Sequence, residues 1–254
     1  MILSAQHLSL QRGDKTLCRD LSFSIEPAQC WGVIGCNGAG KTTLLHSLLG
    51  LYPLQHGQVS INQQARVSFK PKELAKQIGL LLQESEQGFP ASVMDITLLG
   101  RHPHLKRWQT ETEKDKQLAH AALQVVGLDD YAERSNLSLS GGEARRLAIA
   151  SLLTQDPQLF LLDEPVNHLD VHQQLRILDH FKLKINEQQK SAMIVLHDIN
   201  LVWRYCDYVI LMFANGETRV GPVQTLLNSE HLSALYQHTI KRIDSDTHTF
   251  FIPT

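Results

Sequence analysis

The chain has 254 residues, of which 43% are hydrophobic and 20% are charged. These proportions are typical of a globular protein with one or two domains, and they exclude a disordered chain, a collagen-like chain and a small protein stapled by disulfides or metal. The 24 Lys and Arg residues and 26 Asp and Glu residues give a net charge of −2, so the overall charge gives no reason to expect duplex nucleic-acid binding.

The cysteines and the apolar runs indicate the compartment. Cys18, Cys30, Cys36 and Cys206 show no C-x-x-C spacing, so neither a zinc site nor a disulfide framework is predicted, and a reducing compartment fits best. The N-terminus has no basic segment followed by an apolar one, and no run approaches the roughly 18 apolar residues of a membrane helix. We therefore predict a soluble, cytoplasmic chain.

The first part of the chain, up to about Asn62, predicts short strands around one helix. Polar and apolar residues alternate in ILSAQHLSL, LSFSI is apolar, and QVSI follows the turn-forming pair His56 and Gly57. Between these strands, CWGVI leads through glycines into TTLLHSLLG, whose apolar spacing is helical and which stops at Gly50. The predicted order there is strand, glycine loop, helix.

The next part predicts helices, and the last part returns to strands. ETEKDKQLAHAALQVVG and EARRLAIASLLTQ have helical apolar spacing, and Asp156 and Pro157 end the second. The runs QLFLLD, AMIVLHD and YVILMF are typical of buried parallel strands, and the helix VHQQLRILDHFKLKI separates the first two. Asn215 and Gly216 predict a hairpin, and the tail predicts short helices and a final strand, THTFFI. The whole predicts an α/β sheet with a helical insertion.

Residues 35–42 carry the most specific motif. They are GCNGAGKT, a full match to G-x-x-x-x-G-K-[ST], located between an apolar strand and a helix. The glycines let backbone N–H groups turn toward phosphates, and the helix N-terminus adds partial positive charge. Lys41 is expected to pair with the β- and γ-phosphate oxygens, and Thr42 to offer its hydroxyl to Mg²⁺.

Two further motifs fit a site for nucleotide phosphates. Asp163 and Glu164 end the apolar run QLFLLDE, so that Asp163 can hold the Mg²⁺ shell and Glu164 can face the attacking water. LSGGE opens a helix, where Ser140 is expected to be the N-cap, and Gly141 and Gly142 to leave N–H groups exposed. This is a second phosphate-binding helix terminus in one chain.

The segments GCNGAGKTT, LSGGE, LLDEP and VLHD, in this order and spacing, resemble the nucleotide-binding cassette of ABC transporters over essentially the whole chain. The resemblance implies an α/β P-loop NTPase fold, with an N-terminal antiparallel β subdomain and an inserted helical subdomain. It implies a single ABC domain over residues 1–254, in which 1–83 and 156–254 form the catalytic core and 84–155 form the helical signature subdomain.

The resemblance also implies the roles of individual residues. Gln83 resembles the glutamine that touches Mg²⁺ and the water, His197 resembles the switch histidine at the γ-phosphate, and the loop from Asn167 to Asp170 resembles the one that crosses the dimer interface. The catalytic residues would be Glu164, His197 and Gln83, and the Mg²⁺ ligands Thr42, Gln83 and Asp163. ATP would contact Arg12, Gly35, Asn37, Gly38, Ala39, Gly40, Lys41, Thr42, Thr43, Ser140, Gly141, Gly142 and Asp170.

Four positions depart from the family's common pattern. The family usually stacks an aromatic residue on adenine at about Arg12, but none lies near it; either the guanidinium plane of Arg12 stacks on the base or the base is held loosely. Glu143 replaces the usual Gln of the signature, and Cys36 and Val166 replace the commoner Pro and Thr. None of these changes removes a phosphate or metal contact.

The implied function is that of the ATP-hydrolysing subunit of an ABC importer, peripheral at the cytoplasmic face of the inner membrane. The implied partners are ATP, a second copy in a head-to-tail ATP sandwich, permease subunits and, through them, a periplasmic or lipoprotein binding subunit, with no nucleic acid. SVMDITLLGRHPHLKRW resembles a segment of the siderophore, haem and cobalamin branch, and Arg145 and Arg146 after LSGGE fit it too. A metal chelate is the expected cargo, with cobalamin or a ferric siderophore ahead of haem and another small solute as the alternative.

Other functions explain the motifs less well. Soluble ABC ATPases that act on nucleic acid or ribosomes usually carry long coiled coils or two cassettes, whereas the span from Gln83 to Ser140 leaves room only for the ordinary helical subdomain. A P-loop kinase outside the ABC family would leave LSGGE and His197 unexplained. The spacings of His168 with His172 and of the histidines in RHPH could hold a metal, but no carboxylate or cysteine cluster accompanies them.

The sequence LKRW forms a small basic patch that includes an aromatic residue. Lys106 and Arg107 precede Trp108 directly. Such a patch is more typical of a solvated face or a protein contact than of a nucleic-acid site.

Overall fold

The structure of the protein, a computed structural model, describes residues 1–82, 90–246 and 248–254. The strands in these ranges are β1 (Leu3–Arg12), β2 (Lys15–Ile25), β3 (Cys30–Gly35), β4 (His56–Ile61), β5 (Gln64–Ala65), β6 (Ile78–Leu81), β7 (Leu159–Asp163), β8 (Ser191–Val195), β9 (Tyr208–Met212), β10 (Thr218–Pro222), β11 (Ile240–Asp244) and β12 (Thr249–Pro253). The helices are α1 (Lys41–Leu49), α2 (Pro71–Gln77), α3 (Val93–Leu98), α4 (Glu113–Val126), α5 (Gly141–Gln155), α6 (Val171–Gln188), α7 (Ile199–Tyr205), α8 (Val223–Leu226) and α9 (Ser229–Tyr236). Within the described ranges, no helix has the length and apolar character needed to cross a membrane.

The chain forms two compact units. The first contains Met1–Ser68 and Ser191–Thr254, and the second contains Phe69–Lys190. The glycine loop and His197 therefore belong to the first unit. LSGGE and the LLDE segment belong to the second.

An antiparallel sheet in the first unit confirms the strands predicted near the N-terminus. Its order is β2-β1-β4-β5, and β1 pairs antiparallel with both β2 and β4. Leu3, Leu8 and Leu10 of β1 are completely buried. One face of the sheet thus covers a core, which is the arrangement that alternating polar and apolar residues favour.

The pair His56 and Gly57 lies inside β4 instead of forming the predicted turn. Gly57 has a φ of +94°, and a Cβ there would lie 2.5 Å from the backbone oxygens of Gln6 and His7. The β1–β4 register is irregular between Gln6 and Ser9. Gly57 therefore permits the backbones of β1 and β4 to approach closely at a β-bulge. Glycine also favours turns, so the sequence does not distinguish a bulge from a chain reversal.

Four more strands of the first unit, β3, β8, β9 and β10, form a second sheet. Its order is β10-β9-β3-β8, with β3 parallel to both β8 and β9. Every residue of β3 is buried, as the continuous apolar run predicts. Strand β10 pairs antiparallel with β9, and the turn between them contains Asn215 and Gly216, so the hairpin prediction is confirmed. The tail forms α8, α9 and the β11–β12 hairpin.

In the second unit, helices predicted from apolar periodicity accompany two parallel strands, β6 and β7. Ser92, Thr112 and Ser140 cap α3, α4 and α5, each in a reciprocal capping box with the acid three residues later. Helix α5 ends at Gln155, and Asp156 follows in the left-handed conformation with a φ of +51°. The sequence did not predict α2 and α7, because seven residues are too few for apolar periodicity to show.

A buried ion pair joins the segment after α3 to α4. Arg101 Nε lies 2.7 Å from Asp115 Oδ1, and both side chains are largely buried. Arg101 also donates to the carbonyl of Thr154 in α5 at 3.0 Å. Hydrogen bonds from the Thr112 hydroxyl and backbone N–H, with a smaller contribution from Arg101, lower the pKa of Asp115 to about 2. Arg101 therefore links the segment after α3 to α4, through the ionised carboxylate of Asp115, and also to α5.

Candidate nucleotide-binding site

The glycine loop lies between the buried strand β3 and helix α1, as predicted. Gly38 and Gly40 have φ values of +73° and +102°, a region that glycine adopts without strain. A Cβ on Gly40 would lie 2.8 Å from the Cβ of Leu17, and one on Gly35 would lie 2.4 Å from the carbonyl oxygen of Met212. Both the backbone conformation and the surrounding atoms therefore require glycine at these points of the loop.

Two lysines are held at this loop by its own carbonyl groups. Lys41 is buried, and its Nζ donates to the carbonyls of Gly35 at 2.9 Å and Cys36 at 3.2 Å. Lys15 donates to the carbonyl of Gly38 at 2.8 Å. A buried ammonium group beside the start of a nine-residue helix is an electrostatic setting that favours an anion. The sequence predicted Lys41 but not Lys15, which approaches only because the β1–β2 hairpin folds beside the loop.

His197 lies at the same edge of the sheet as the glycine loop. It follows the buried strand β8, where Val195 is paired with Val33 of β3. The N–H of Leu196 continues the ladder to the Val33 carbonyl at 3.4 Å. Because β3 and β8 are parallel, the residues that follow them, the glycine loop and the exposed His197, leave the sheet at adjacent carboxyl ends.

Arg12 is exposed at the end of β1, opposite Lys15 of β2. Because Lys15 contacts Gly38, the hairpin that carries Arg12 also borders the glycine loop. The structure thus brings Arg12 to the same region of the first unit as Lys41.

In the second unit, Asp163 is the last residue of the fully buried strand β7, and Glu164 follows it. Asp163 has no exposed surface, and Glu164 is 8% exposed. Glu164 has a φ of +51°, an uncommon conformation for a residue with a long side chain. Asn167 Nδ2 donates to Glu164 Oε2 at 2.5 Å. The carboxylate of Glu164 is therefore directed by the loop that follows it. Asp170, at the end of that loop, caps α6 by accepting from the N–H of Gln173 at 2.9 Å.

LSGGE forms the capped start of α5, as predicted. The N–H and hydroxyl of Ser140 donate to Glu143 Oε2 at 2.8 and 2.7 Å, and these hydrogen bonds lower the pKa of the Glu143 carboxyl. Glu143, which replaces the Gln of the common signature, thus completes the capping box through its carboxylate. Among the described residues outside the helix's own backbone, no heavy atom lies within 4 Å of a Cβ placed on Gly141, whereas a Cβ on Gly142 would lie 3.7 Å from the carbonyl oxygen of His168. The helix N-terminus is consequently open beside Gly141.

A family model described as ABC transporter matches residues 18–167, which is more than half of the chain. The chain belongs to the ABC transporter family. ABC ATP-binding domains of this family are ATPases, and the protein is therefore an ATPase.

Named relatives extend the match along the chain. The ABC transporter ATP-binding protein YvrA of Bacillus subtilis is 36% identical over 87% of this chain, which spans about half (50%) of that relative. The petrobactin import ATP-binding protein FpuD of Bacillus anthracis is 35% identical over 82% of this chain and 76% of its own length. The hemin import ATP-binding protein HmuV of Burkholderia ambifaria is 30% identical over 96% of each chain.

A solved structure resembles the ABC ATPase over its full length. It belongs to an ABC transporter described as of the metal-chelate type, in an inward-facing conformation. The TM-score is 0.85 and the sequence identity 27%, over 100% of this chain and 97% of that one. The predicted cassette fold is thereby confirmed.

Arg145 contacts the backbone of Asp163 and Glu164, and sequence reasoning missed this contact. Arg145 is 8% exposed, and its guanidinium donates to the backbone carbonyls of Leu82, Asp163 and Glu164, the last at 2.9 Å. Burial lowers the pKa of the Arg145 guanidinium. From the sequence, Arg145 was predicted only to be typical of the siderophore, haem and cobalamin branch of transporters. Gln83, the residue after Leu82, lies outside the described residues, and its predicted role stays a prediction.

Proposed function

We propose that this ABC ATPase powers the import of a metal chelate: a ferric siderophore, haem or cobalamin. The observation that carries the proposal is the near full-length match to HmuV, supported by the match to FpuD and by the metal-chelate type neighbour. Cobalamin rests on the resemblance of the segment SVMDITLLGRHPHLKRW to that transporter branch, and of the tail HTIKRIDSDTHTFFI to the end of the cobalamin importer's subunit. A transporter of another small solute is the alternative.

The proposed catalytic roles follow from the chemistry of each side chain. The buried Lys41 ammonium would pair with the β- and γ-phosphates, together with loop N–H groups from Gly35 to Thr43. Glu164, directed by Asn167, would accept a proton from the attacking water. His197 would donate a hydrogen bond to the γ-phosphate.

Mg²⁺ fits the oxygen donors that the motifs supply. The Thr42 hydroxyl and the Asp163 carboxylate are hard oxygen ligands of the kind that Mg²⁺ prefers, and we propose Gln83 as a third contact. Bound Mg²⁺ would neutralise charge that develops on the transferred phosphoryl group. The protein's part is to keep these donors fixed, and the complete burial of Asp163 favours a fixed position.

We propose that two copies enclose ATP head to tail. Ser140, Gly141 and Gly142 of one copy would contact the γ-phosphate bound to Lys41 of the other. The support is local: the N-terminus of the 15-residue helix α5 is capped, exposed and unobstructed beside Gly141. Helix N-termini of this kind favour phosphate.

The remaining partners are proposed from the family's mode of action. Permease subunits would anchor the ATPase at the cytoplasmic face of the membrane and connect it to a periplasmic or lipoprotein binding subunit. Nucleic acid is not among the proposed partners.

The test is reconstitution of the chain with its own permease and binding subunits in lipid vesicles. We expect ATP hydrolysis to rise when the binding subunit is loaded with a ferric siderophore, haem or cobalamin. Stimulation by a sugar, amino acid or lipid, with no response to any of the three chelates, would contradict the cargo and leave the ATPase assignment intact.

A further inference from the structure

A cationic surface in the second unit uses none of the residues assigned to ATP. It surrounds a cavity of about 460 Å³ whose lining includes Lys72, His102, Lys106 and Arg107. Among the described residues of this lining, Glu111 is the one acidic member. In the part of the chain that the structure describes, no ion pair joins Lys72, Lys106 or Arg107 to a carboxylate. We call Lys72, His102, Lys106, Arg107 and Trp108 the basic surface. Its charge is available to an anionic partner.

Trp108 projects into solvent from the tip of a closed turn. Its side chain is 90% exposed, and its φ is +65°, a costly conformation for a bulky residue. The N–H of Lys106 donates to Gln109 Oε1 at 2.9 Å, and the N–H of Gln109 donates to the Lys106 carbonyl at 3.0 Å. The turn therefore holds the Trp108 indole in solvent, where it gains no stabilisation from burial within this chain.

The base of this turn is anchored to the second unit. Leu105 is buried, and its carbonyl accepts a hydrogen bond from Lys72 of α2. His104 Nε2 is 2.8 Å from the carbonyl of Gln155 at the end of α5. The guanidinium of Arg107 lies 5.6 Å from the centre of the Trp108 ring. The cations and the indole are thus presented together on an ordered support.

We propose that the basic surface binds the anionic phospholipid headgroups of the membrane beside which the protein works, an inference that rests on the proposed function for its location. Ammonium and guanidinium groups pair with lipid phosphates, and an indole flanked by cations is typical of residues at the headgroup level. A single exposed Trp is a poor platform for nucleic acid, which uses several stacked aromatic rings. An acidic protein partner is the alternative that the experiment separates.

The experiment measures flotation of the purified protein with vesicles of phosphatidylcholine, alone or with about 25% phosphatidylglycerol. We expect binding to the anionic vesicles only, and weaker binding as salt is raised. Brominated lipids should quench tryptophan fluorescence. Trp31 is 3% exposed and Trp203 is partly buried, whereas Trp108 is almost fully exposed. The quenching should therefore disappear in Trp108→Ala.

A matched pair of charge reversals tests the location. The double change Lys106→Glu with Arg107→Glu should weaken vesicle binding by about 25-fold or more, since each cation near an anionic surface contributes about fivefold. The control is Lys114→Glu with Lys116→Glu on exposed positions of α4, which changes the net charge equally and should weaken binding less than about threefold.

Three results would overturn the proposal: equal binding to neutral and anionic vesicles, equal losses in the two double variants, or binding that requires the permease protein and ignores lipid charge. All four reversals avoid the ATP residues, so ATPase activity of the purified chain in solution should stay unchanged. A chain that binds anionic vesicles but shows no chelate-stimulated hydrolysis would contradict the proposed cargo only.

Discussion

The guanidinium of Arg145 donates a hydrogen bond to the backbone carbonyl of Glu164 at 2.9 Å, and the same group donates to the carbonyl of Asp163. A third hydrogen bond reaches Leu82, the residue before Gln83. Arg145 lies in the second turn of α5, the helix that Ser140 caps. A shift of α5 would therefore move the backbone of Glu164, the proposed general base.

Glu164→Gln should nearly abolish ATP turnover and leave ATP binding intact. The amide keeps the size of the side chain but cannot accept the proton of the attacking water, a contribution of about 10²- to 10⁴-fold in rate. Steady-state hydrolysis and equilibrium binding of a fluorescent ATP analogue would measure the two effects. Glu133→Gln, at an exposed position of the same unit, is the control. Normal hydrolysis by Glu164→Gln would show that another group activates the water.

Arg145→Met removes the hydrogen bonds to the carbonyls of Leu82, Asp163 and Glu164 and keeps an unbranched apolar side chain. We expect kcat to fall about 10- to 100-fold while the ATP dissociation constant changes less than about threefold, because a misplaced base slows chemistry more than binding. Arg145→Lys should recover part of kcat. The measurement is the separation of kcat from ATP affinity.

Arg146→Met is the matched control for Arg145. Arg146 lies next to it in α5 and donates to the carbonyls of Val126 and Gly127 at 2.7 and 3.0 Å. Its loss should lower thermal stability with less effect on kcat. If both variants lost kcat and stability in the same proportion, Arg145 would merely support the helix.

ATP should join two copies of the Glu164→Gln variant, and adding Ser140→Asp should prevent it. Aspartate is also a good N-cap, so α5 should stay intact while the new charge repels the γ-phosphate of the partner's ATP. The control is Ser92→Asp, which changes the N-cap of α3 in an equivalent capping box. Light scattering with and without ATP measures the mass. An ATP-dependent dimer in the Ser140→Asp background would contradict the head-to-tail arrangement.

Asp115→Asn should destabilise the protein by about 2 kcal/mol near neutral pH, because it leaves the largely buried guanidinium of Arg101 without its carboxylate. The pKa of Asp115 is lowered to about 2 from an ordinary value of 3.8. A lowered pKa means that this stabilisation is complete above about pH 4 and disappears as the pH falls toward about 2.

Denaturant unfolding at about pH 7 and about pH 3 would follow that change. The difference in unfolding free energy between the wild type and Asp115→Asn should shrink at the lower pH. Asp130→Asn, at an exposed position, should show no such trend. A difference that stayed constant with pH would show that the carboxylate charge is not what stabilises this contact.

The sequence alone predicted the elements and motifs whose physical cause is local. The glycine loop is contiguous between β3 and α1, so the strand, the positive φ positions and the helix start are encoded within a few residues. The predicted cap at Ser140 acts over three residues. The β9–β10 hairpin likewise follows from one turn.

Contacts between distant segments were decided only by the tertiary structure. Arg145 contacts carbonyls that lie 63, 18 and 19 positions away, and Lys15 reaches Gly38 across 23 positions. His56 and Gly57 are residue types that favour turns, yet they belong to β4 because that strand pairs with the neighbouring strand β1. A side chain's own sequence neighbourhood does not specify which backbone carbonyl will be left within its reach, because that depends on how buried strands and helices pack.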